Sequence, residues 1–330
     1  MVNRSDFTFL SSDGKTYIHG VKWISDKIKP KAFLQLVHGM TEHINRYDDF
    51  ARFMTEKGFI VVGHDHLGHG TSVMTKADWG YFHPDFPDRV LVEDIHGLKL
   101  LVTEDRRMAS VENIEVYDRQ EIPYFILGHS MGSYLLREYL SIYDEPLGGA
   151  IIMGTGFEES SVTAGGQKLI SFLSLLRGER HRSKFVKNMT EGGPYKKFDL
   201  KGNDLTKSWL TRDPMVVDAY MKDPACTFIF TLNGYRGLLN TVEFTCKREN
   251  VEKIRKDVPI LLVSGADDPV GNFGKGVKKV YEMMKDAGIK DVSMNLYPEH
   301  RHEILNEIHH EKVYEDIANW MLYRIKELPD

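Results

Sequence analysis

The residue with the most specific chemical context is a serine placed between two glycines. Residues 128–132 read Gly-His-Ser-Met-Gly and follow a short apolar segment, 124–127, that is typical of a buried strand. Residues 133–139 then have a helical pattern. A serine on a sharp strand-to-helix turn needs small residues two positions away on each side, because the turn raises its hydroxyl out of the sheet. The pattern predicts that Ser130 is a nucleophile for acyl transfer.

A serine nucleophile requires a base, and an acid that orients the base. For this kind of turn, the acid and then the histidine follow the serine along the chain. Asp267 and Asp268 come after one later apolar segment, and His300 and His302 come after the next. The pattern predicts one acid and one base at the ends of successive strands, and the residues alone leave both pairs open.

Two backbone N–H groups are needed to stabilise the oxyanion that forms when a carbonyl is attacked. The Met131 N–H follows the serine and opens a predicted helix, where the helix dipole favours negative charge. The loop after the apolar segment 32–37 reads His-Gly-Met, so the Met40 N–H is the second candidate. Gly39 permits close approach of the backbone, and we interpret His38 as structural.

The elements that must position these residues alternate along the chain. Two segments of alternating hydrophobicity flank a polar turn at 11–15 and predict an antiparallel pair. The predicted buried strands are 32–37, 59–62, 124–127, 151–153, 259–263 and 292–297. Helical patterns lie at 47–54, 91–102, 133–139 and 313–321. This alternation predicts an α/β fold with a mostly parallel central sheet and helices on both faces.

The alternation stops between residues 155 and 253. We interpret this stretch as a helical cap inserted into one catalytic core, which comprises residues 1–154 plus 254–330. Residues 169–176 are apolar over a wide helical arc, which favours packing inside the cap over an acyl pocket or transient contact with a membrane surface. The basic cluster at 177–187 favours a solvated loop over contact with anionic lipid.

Composition excludes several classes of protein. The 330 residues include 43 Lys and Arg against 48 Asp and Glu, a net charge of −5, so we expect no nucleic-acid partner. Two cysteines cannot form a disulfide framework. Charged residues interrupt the N-terminal segment, and no run approaches the ~18 apolar residues of a membrane span. We therefore expect a cytoplasmic protein.

Three histidines, His64, His66 and His69, have a spacing that could be mistaken for a metal site. A metal hydrolase of that type would need further ligands and a different sheet, so we interpret these residues as part of a loop. We expect no metal and no cofactor.

Several further motifs carry a family resemblance: they are the segments 38–43, 46–47, 58–59, 65–70, 128–132, 265–269, 301–303 and 306–307, together with Ser72. These motifs resemble those of the monoacylglycerol lipase and lysophospholipase family, a group of α/β-hydrolases related to serine aminopeptidases. They lie on both sides of the insertion, so the resemblance covers the catalytic core and is weak over the cap. It implies the α/β-hydrolase fold.

The same resemblance assigns roles to individual residues. It selects Asp268 as the acid and His302 as the base. It also implies that Glu42 and Arg46 help to hold a glycerol headgroup. Met40 stands where the family often has a smaller residue, which implies a differently shaped mouth of the site.

Together these observations predict a serine carboxylester hydrolase that acts on a small ester or lipid. The resemblance favours release of a fatty acid from a monoacylglycerol or lysophospholipid through an acyl-enzyme on Ser130. A general short-chain or aryl esterase is the alternative. A proline-releasing aminopeptidase is disfavoured because the loop at 38–42 lacks the His-Gly-Gly-Pro-Gly motif of those enzymes. A non-catalytic binding protein is disfavoured by the intact Ser130, Asp268 and His302.

Overall fold

The computed structural model describes residues 1–104, 122–190 and 192–327, and its centre is one sheet of eight strands. The strands are β1 (Val2–Leu10), β2 (Tyr17–Ser25), β3 (Ala32–Val37), β4 (Phe59–His64), β5 (Tyr124–His129), β6 (Gly149–Met153), β7 (Ile260–Gly265) and β8 (Val292–Tyr297). Their order across the sheet is β1-β2-β4-β3-β5-β6-β7-β8.

Only the first two strands depart from a parallel arrangement. The pair β1 and β2 is antiparallel around the turn at 11–15, and β2 is antiparallel to β4. The other neighbouring strands pair in parallel. The predicted hairpin and mostly parallel sheet are therefore confirmed. The carboxyl ends of β3, β5, β6, β7 and β8 meet at one edge of the sheet, which is where open α/β sheets bind ligands.

Helices cover both faces of the sheet. They are α1 (Asp48–Glu56), α2 (Arg89–Glu104), α3 (Met131–Ile142), α4 (Ser160–Arg177), α5 (Lys184–Thr190), α6 (Pro214–Lys222), α7 (Leu232–Cys246), α8 (Arg248–Val251), α9 (Lys275–Asp286) and α10 (Glu311–Glu327). Buried residues of α2, α3 and α9 share one core cluster, whereas those of α1 and α10 share the other. Successive residues of β5 alternate between the clusters, as the pleat of a strand requires.

One helix of the predicted catalytic core, α9, was not predicted from the sequence. Helix α9 buries Val277, Val280 and Met284 on one face, and its remaining residues are mostly lysine and other polar groups. The spacing i, i+3, i+7 was visible, but three apolar residues among many charges make a narrow stripe. No helix in the described parts of the chain is long and apolar enough to cross a bilayer.

Five helices, α4 to α8, lie between β6 and β7, in the stretch that we interpret as a cap. Helices α4 and α7 pack against each other, and α7 also packs on α3. On α4, Ile170 and Leu173 face other apolar groups, but Phe172, Leu175 and Leu176 are exposed. The apolar arc is therefore only partly used for packing. The boundaries of a separate cap domain stay a prediction.

Candidate active site

Ser130 occupies the turn between β5 and α3 in a strained backbone conformation. Its φ of 54° and ψ of −120° are rarely adopted by residues with a side chain. A Cβ on Gly128 would collide with the carbonyl oxygen of Gly132, and one on Gly132 with that of Val37. The two glycines therefore let the turn close against β3, for the steric reason that the sequence suggested.

The surroundings of the candidate acids and bases distinguish Asp268 and His302 from the alternative residues. Asp268 is fully buried after β7, and its Oδ2 accepts a hydrogen bond from the Nδ1–H of His302 over 3.0 Å. The same oxygen accepts from the Ser264 hydroxyl, while Oδ1 accepts from the Val270 N–H. Three donors thus hold one carboxylate in a single orientation. Such a carboxylate can fix the tautomer of His302 that leaves Nε2 free to accept a proton.

Neither of the alternative residues takes part in this pair. Asp267 is half-buried, and its backbone N–H donates to the carbonyl of His300. The His300 ring contacts the carbonyl of Pro298 through Nδ1. The structure therefore brings Asp268 and His302 together and keeps Asp267 and His300 apart from them.

The loop after β3 lies against the serine turn. A Cβ added to Gly39 would lie 2.9 Å from the Ser130 Cβ, so only glycine permits this approach. Met40 follows, and Thr41 has a positive φ of 51° that turns the chain sharply. Met131 is the first residue of α3. Both predicted oxyanion donors thus belong to segments that meet beside Ser130, and their role stays a prediction.

The buried carboxylate of Glu42 holds the loop after β3 in place through hydrogen bonds. Its Oε1 accepts hydrogen bonds from the Gly39 N–H at 2.5 Å, the Tyr47 hydroxyl at 2.9 Å and the Nδ1–H of His129 at 3.0 Å. The other ring nitrogen of His129 faces the carbonyl of His302 at 3.4 Å. Since both nitrogens of His129 face acceptors, a protonated ring fits this position.

Arg46 extends these contacts to the loop after β8 that carries His302, which we call the histidine loop. Its two terminal nitrogens donate to both carboxylate oxygens of Glu303 at 2.6 and 2.7 Å, and one of them also donates to Glu42 at 3.0 Å. The Tyr220 ring lies 4.9 Å from the guanidinium. These buried side chains thus connect the loop after β3, the serine turn and the histidine loop. We call them the charge network (Glu42, Arg46, His129 and Glu303).

The pKa values of the network follow from its charges. Burial alone would raise the pKa of Glu42, but the hydrogen bond and charge of His129 and the charge of Arg46 outweigh it, so this pKa lies well below its usual range. Burial likewise opposes ionisation of Glu303, and the Arg46 guanidinium lowers its pKa. Burial would lower the pKa of His129, but Glu42 raises it. Ion pairing therefore outweighs desolvation at all three sites.

The family assignment rests on a match that covers most of the chain. A profile of the Hydrolase_4 family, described as serine aminopeptidase, S33, matches residues 28–309. The chain belongs to this family. The predicted kinship to α/β-hydrolases related to serine aminopeptidases is confirmed, and the protein is a hydrolase of that fold.

Individual relatives cover nearly the whole chain of this hydrolase. Monoacylglycerol lipase from Mycolicibacterium smegmatis is 24% identical over 323 residues, which cover 97% of each chain. Monoglyceride lipase from Homo sapiens is 28% identical over 303 residues, covering 89% of this chain and 84% of the human one. A thermostable carboxyl esterase from Bacillus coagulans, solved in complex with glycerol, has a TM-score of 0.82 and 26% identity, covering 98% and 99% of the two chains.

Glu42 and Arg46, to which the family resemblance assigned a glycerol headgroup, both belong to the charge network. Glu42 is buried, and both of its carboxylate oxygens have protein partners. Arg46 is likewise engaged with two carboxylates. In this hydrolase both side chains fasten the loops of the site, and their contact with a glycerol headgroup stays a prediction. Sequence reasoning missed His129 and Glu303, although each is adjacent to a predicted catalytic residue.

The histidines at 38, 64, 66 and 69 form a fully buried cluster of rings in tilted and edge-to-face contact, beside the loop after β3. The Nδ1–H of His38 donates to the Gly39 carbonyl, and its Nε2 accepts from the His66 N–H. Burial lowers the pKa of His66 to about 4 and that of His69 to about 3, so these rings are neutral at pH 7. The interpretation of His38 as structural fits these bonds.

Segments between β6 and β7 also contact His302, the predicted base. The Trp209 ring lies 5.0 Å from the His302 ring, and the Glu303 N–H donates to the Leu210 carbonyl at 2.7 Å. Arg301 donates to the carbonyls of Thr206 and Ser208. The insertion therefore takes part in positioning the histidine loop.

Replacing Gly154 with alanine is expected to lower kcat of this hydrolase about 10²-fold. Gly154 follows β6 with φ of 61°, and an added Cβ would lie 3.2 Å from the Cε1 of His302 and from the Cδ2 of His129. The methyl group would therefore strain the backbone and displace the base, and a misplacement of about 1 Å costs about 10²-fold in rate. Steady-state kinetics on a soluble ester measure the effect. Gly165→Ala, where the added Cβ meets nothing, is the control, and equal effects of both changes would contradict the prediction.

Proposed function

We propose that this hydrolase is a serine carboxylester hydrolase that forms its acyl-enzyme on Ser130. The observation that carries the proposal is the buried Asp268–His302 hydrogen bond beside the strained turn of Ser130. The His302 ring lies 4.7 Å from the ring of His129, the residue that precedes the serine. The candidate nucleophile, acid and base thus follow β5, β7 and β8, in the order along the chain that the sequence predicts.

In the proposed reaction, His302 Nε2 takes the proton of the Ser130 hydroxyl while its oxygen attacks the ester carbonyl. The N–H groups of Met40 and Met131 stabilise the tetrahedral oxyanion. The intermediate collapses, and the leaving alcohol takes the proton from His302. Water then attacks the acyl-enzyme, with His302 first accepting and then returning a proton, and the free acid leaves Ser130. Asp268 stabilises the charged imidazole in both halves.

The substrate class that we propose is a monoacylglycerol or lysophospholipid. Two relatives over most of the chain are named monoacylglycerol or monoglyceride lipases. Five exposed apolar side chains at the end of α4 and on α5 also favour a lipid, and we call them the apolar patch: they are Phe172, Leu175, Leu176, Phe185 and Met189. Exposed apolar patches often mark a site of interaction. The alternative is a general short-chain or aryl esterase, supported by the similarity to a carboxyl esterase.

We further propose that the apolar patch makes transient contact with a membrane surface that presents the substrate. Only part of the neighbouring basic cluster at 177–187 is available for contact with anionic lipid. Arg180 pairs with Asp78 and lies over the Tyr81 ring, and Arg182 donates to the carbonyls of Ala77 and Trp79. Arg177 and Lys184 are exposed beside the patch and are the basic groups that would face anionic lipid.

The experiment compares hydrolysis of nitrophenyl esters from short to long chain with that of monoacylglycerol, lysophosphatidylcholine and a prolyl amide. We expect turnover of the esters, the highest kcat/KM on a long-chain lipid, and activity of Ser130→Ala at background. Ester turnover no greater than that of Ser130→Ala would overturn the proposal. Turnover confined to the shortest chains would favour the alternative esterase, and turnover of the prolyl amide alone would favour an aminopeptidase.

A matched variant separates the membrane contact from the chemistry. Phe172→Ser/Leu175→Ser is expected to lower hydrolysis of monoacylglycerol in anionic vesicles at least tenfold, because burial of each large side chain contributes about 1.5–3 kcal/mol and about 1.4 kcal/mol corresponds to tenfold. Hydrolysis of a soluble short-chain ester should be unchanged. Equal effects on both substrates, or on neither, would contradict a role of the apolar patch at a membrane.

A further inference from the structure

Three side chains with different donor atoms converge where the loop after β3 meets the turn that follows α6. They are His43, Asp223 and Cys226, and one donor atom from each lies within 4.8 Å of the other two. His43 Nε2 is 2.9 Å from the Asp223 Oδ2. Cys226 is almost fully buried, while the other two are half-buried, so the cluster is partly accessible to solvent.

The turn after α6 has a geometry that aims its two donors in one direction. Asp223 and Cys226 are three residues apart, the same interval as in paired metal ligands of the C-x₂-C type. The Cys226 N–H donates to the Asp223 carbonyl at 3.0 Å, and the Ala225 N–H donates to the Asp223 Oδ1 at 2.8 Å. These bonds fix the turn and leave Oδ2 and the thiol on the side of His43.

The spacing of the donors fits a tetrahedral ion. Ligands bound at about 2.0–2.1 Å in a tetrahedron are about 3.3 Å apart, so the nitrogen and oxygen need to separate by less than half an ångström. One nitrogen, one carboxylate oxygen and one sulfur form a donor set that suits Zn²⁺. His43 Nδ1 has no hydrogen-bond partner among the described residues, so the ring can carry its proton there and offer Nε2 as the ligand.

We propose that His43, Asp223 and Cys226 bind Zn²⁺, with water in the fourth position. The ion bonds to the Cys226 sulfur, the His43 Nε2 and the Asp223 Oδ2, and the thiol proton leaves to solvent. No oxidation or reduction takes place. Burial raises the pKa of the Cys226 thiol, the Arg46 guanidinium opposes this, and the charges of Asp223, Glu42 and Glu303 add to it, so the positive charge of the ion itself must stabilise the thiolate.

The site lies where the predicted cap rests on the predicted oxyanion loop. His43 belongs to the segment that carries Met40, and the turn that carries Asp223 and Cys226 follows α6 directly. Next to the site, the Thr41 hydroxyl and the Tyr220 hydroxyl are 2.9 Å apart, and Tyr220 lies over Arg46. A bound ion would therefore tie the two segments together and oppose their separation.

Cobalt is the probe of choice, because Co²⁺ replaces Zn²⁺ and reports a thiolate ligand by its absorption. We expect the full-length protein to bind one Co²⁺, with tetrahedral d–d bands and a thiolate-to-cobalt charge-transfer band, both displaced by Zn²⁺. Cys226→Ser should lose the charge-transfer band, and His43→Gln should weaken binding at least tenfold. Cys246→Ser is the matched control, since Cys246 is the other buried thiol in the described residues and lies against Arg137.

Thermal unfolding gives a second measurement that does not depend on cobalt. Zn²⁺ at 100 times its Kd should raise the Tm of the parent protein and of Cys246→Ser by about 4 °C. It should leave the Tm of Cys226→Ser unchanged. Each variant is first compared with the parent in the absence of metal, so a folding defect is recognised separately. A parent protein without the charge-transfer band, or a band that persists in Cys226→Ser, would overturn the proposal whatever the outcome of the ester assays.

Discussion

Replacing Asp268 with asparagine is expected to lower kcat for ester hydrolysis about 10⁴-fold. The Asp268 Oδ2 accepts hydrogen bonds from His302 and Ser264, and Oδ1 accepts from the Val270 N–H. An asparagine that keeps the Val270 bond must place its NH₂ group toward His302. The ring then takes the tautomer with its proton on Nε2, which cannot accept the Ser130 proton. KM for a soluble ester should change little, because the substrate does not contact this residue.

The neighbouring aspartate provides a matched control. Asp267 is half-buried, and it has no role in orienting His302. Asp267→Asn is therefore expected to change kcat less than about twofold, as surface substitutions usually do. Both variants are compared by kcat at saturating ester and by Tm. A comparable loss in both, or a loss only in Asp267→Asn, would show that the acid has been assigned to the wrong residue.

Much of this arrangement could be predicted from the sequence, because the site follows the ends of apolar strands. Ser130, the two aspartates and the two histidines each come directly after a segment that the structure forms as β5, β7 or β8. In a parallel sheet those ends share one edge. The alternation of apolar segments therefore predicted which loops meet, even though it carried no information on side-chain contacts.

The choice between Asp267 and Asp268 required the exact end of β7, which apolar patterning does not give. Strand β7 continues to Gly265, which pairs with Tyr297, two residues beyond the apolar segment. Strand β5 likewise continues to His129. Backbone hydrogen bonds maintain these extensions without any apolar side chain. A pattern based on hydrophobicity therefore ends the strands too early, and it cannot tell which of two adjacent residues faces the site.

The charge network could not be predicted for a different reason. Arg46 and Glu303 are 257 residues apart in the chain, and both look like ordinary surface charges in sequence. Charged residues are rarely buried unless they are paired. Their partners become visible only when the loop after β3 and the histidine loop are placed side by side. The motif that contains Glu42 and Arg46 was recognised, but its contacts inside the protein were not.

Replacing Arg46 with methionine is expected to destabilise the protein by about 3–5 kcal/mol and to lower kcat/KM about 10²-fold. The change leaves the Glu303 carboxylate buried without its bidentate partner, and Glu42 keeps only His129 as a charged neighbour. It also removes the link between the loop after β3 and the residue next to His302. Chemical denaturation and steady-state kinetics on a soluble ester measure the two effects.

A second substitution separates the two consequences. In Arg46→Met/Glu303→Gln the unpaired charge is gone, so about half of the lost stability should return. The rate should stay low, because the loops remain unlinked. Arg52→Met is the control for loss of an arginine, since its pair with Asp48 is half-buried and open to solvent screening, and contributes about 1 kcal/mol at most. A rate that recovers together with stability would show that the network supports only the fold.

The effect of pH follows from the directions of the pKa shifts. In the parent protein the pKa values of Glu42 and Glu303 are lowered in the folded state. The two carboxylates therefore contribute fully to the free energy of unfolding above the usual carboxyl pKa of about 4.3, and this contribution is lost as the pH falls through the folded-state pKa values. In Arg46→Met, burial is no longer offset at Glu303, so its pKa rises and acid relieves the unpaired charge. The difference in unfolding free energy between parent and variant should therefore be largest near pH 7 and narrow below pH of about 4.5. A difference that is constant from pH 7 to pH 4 would mean that Arg46 acts through packing and not through its charge.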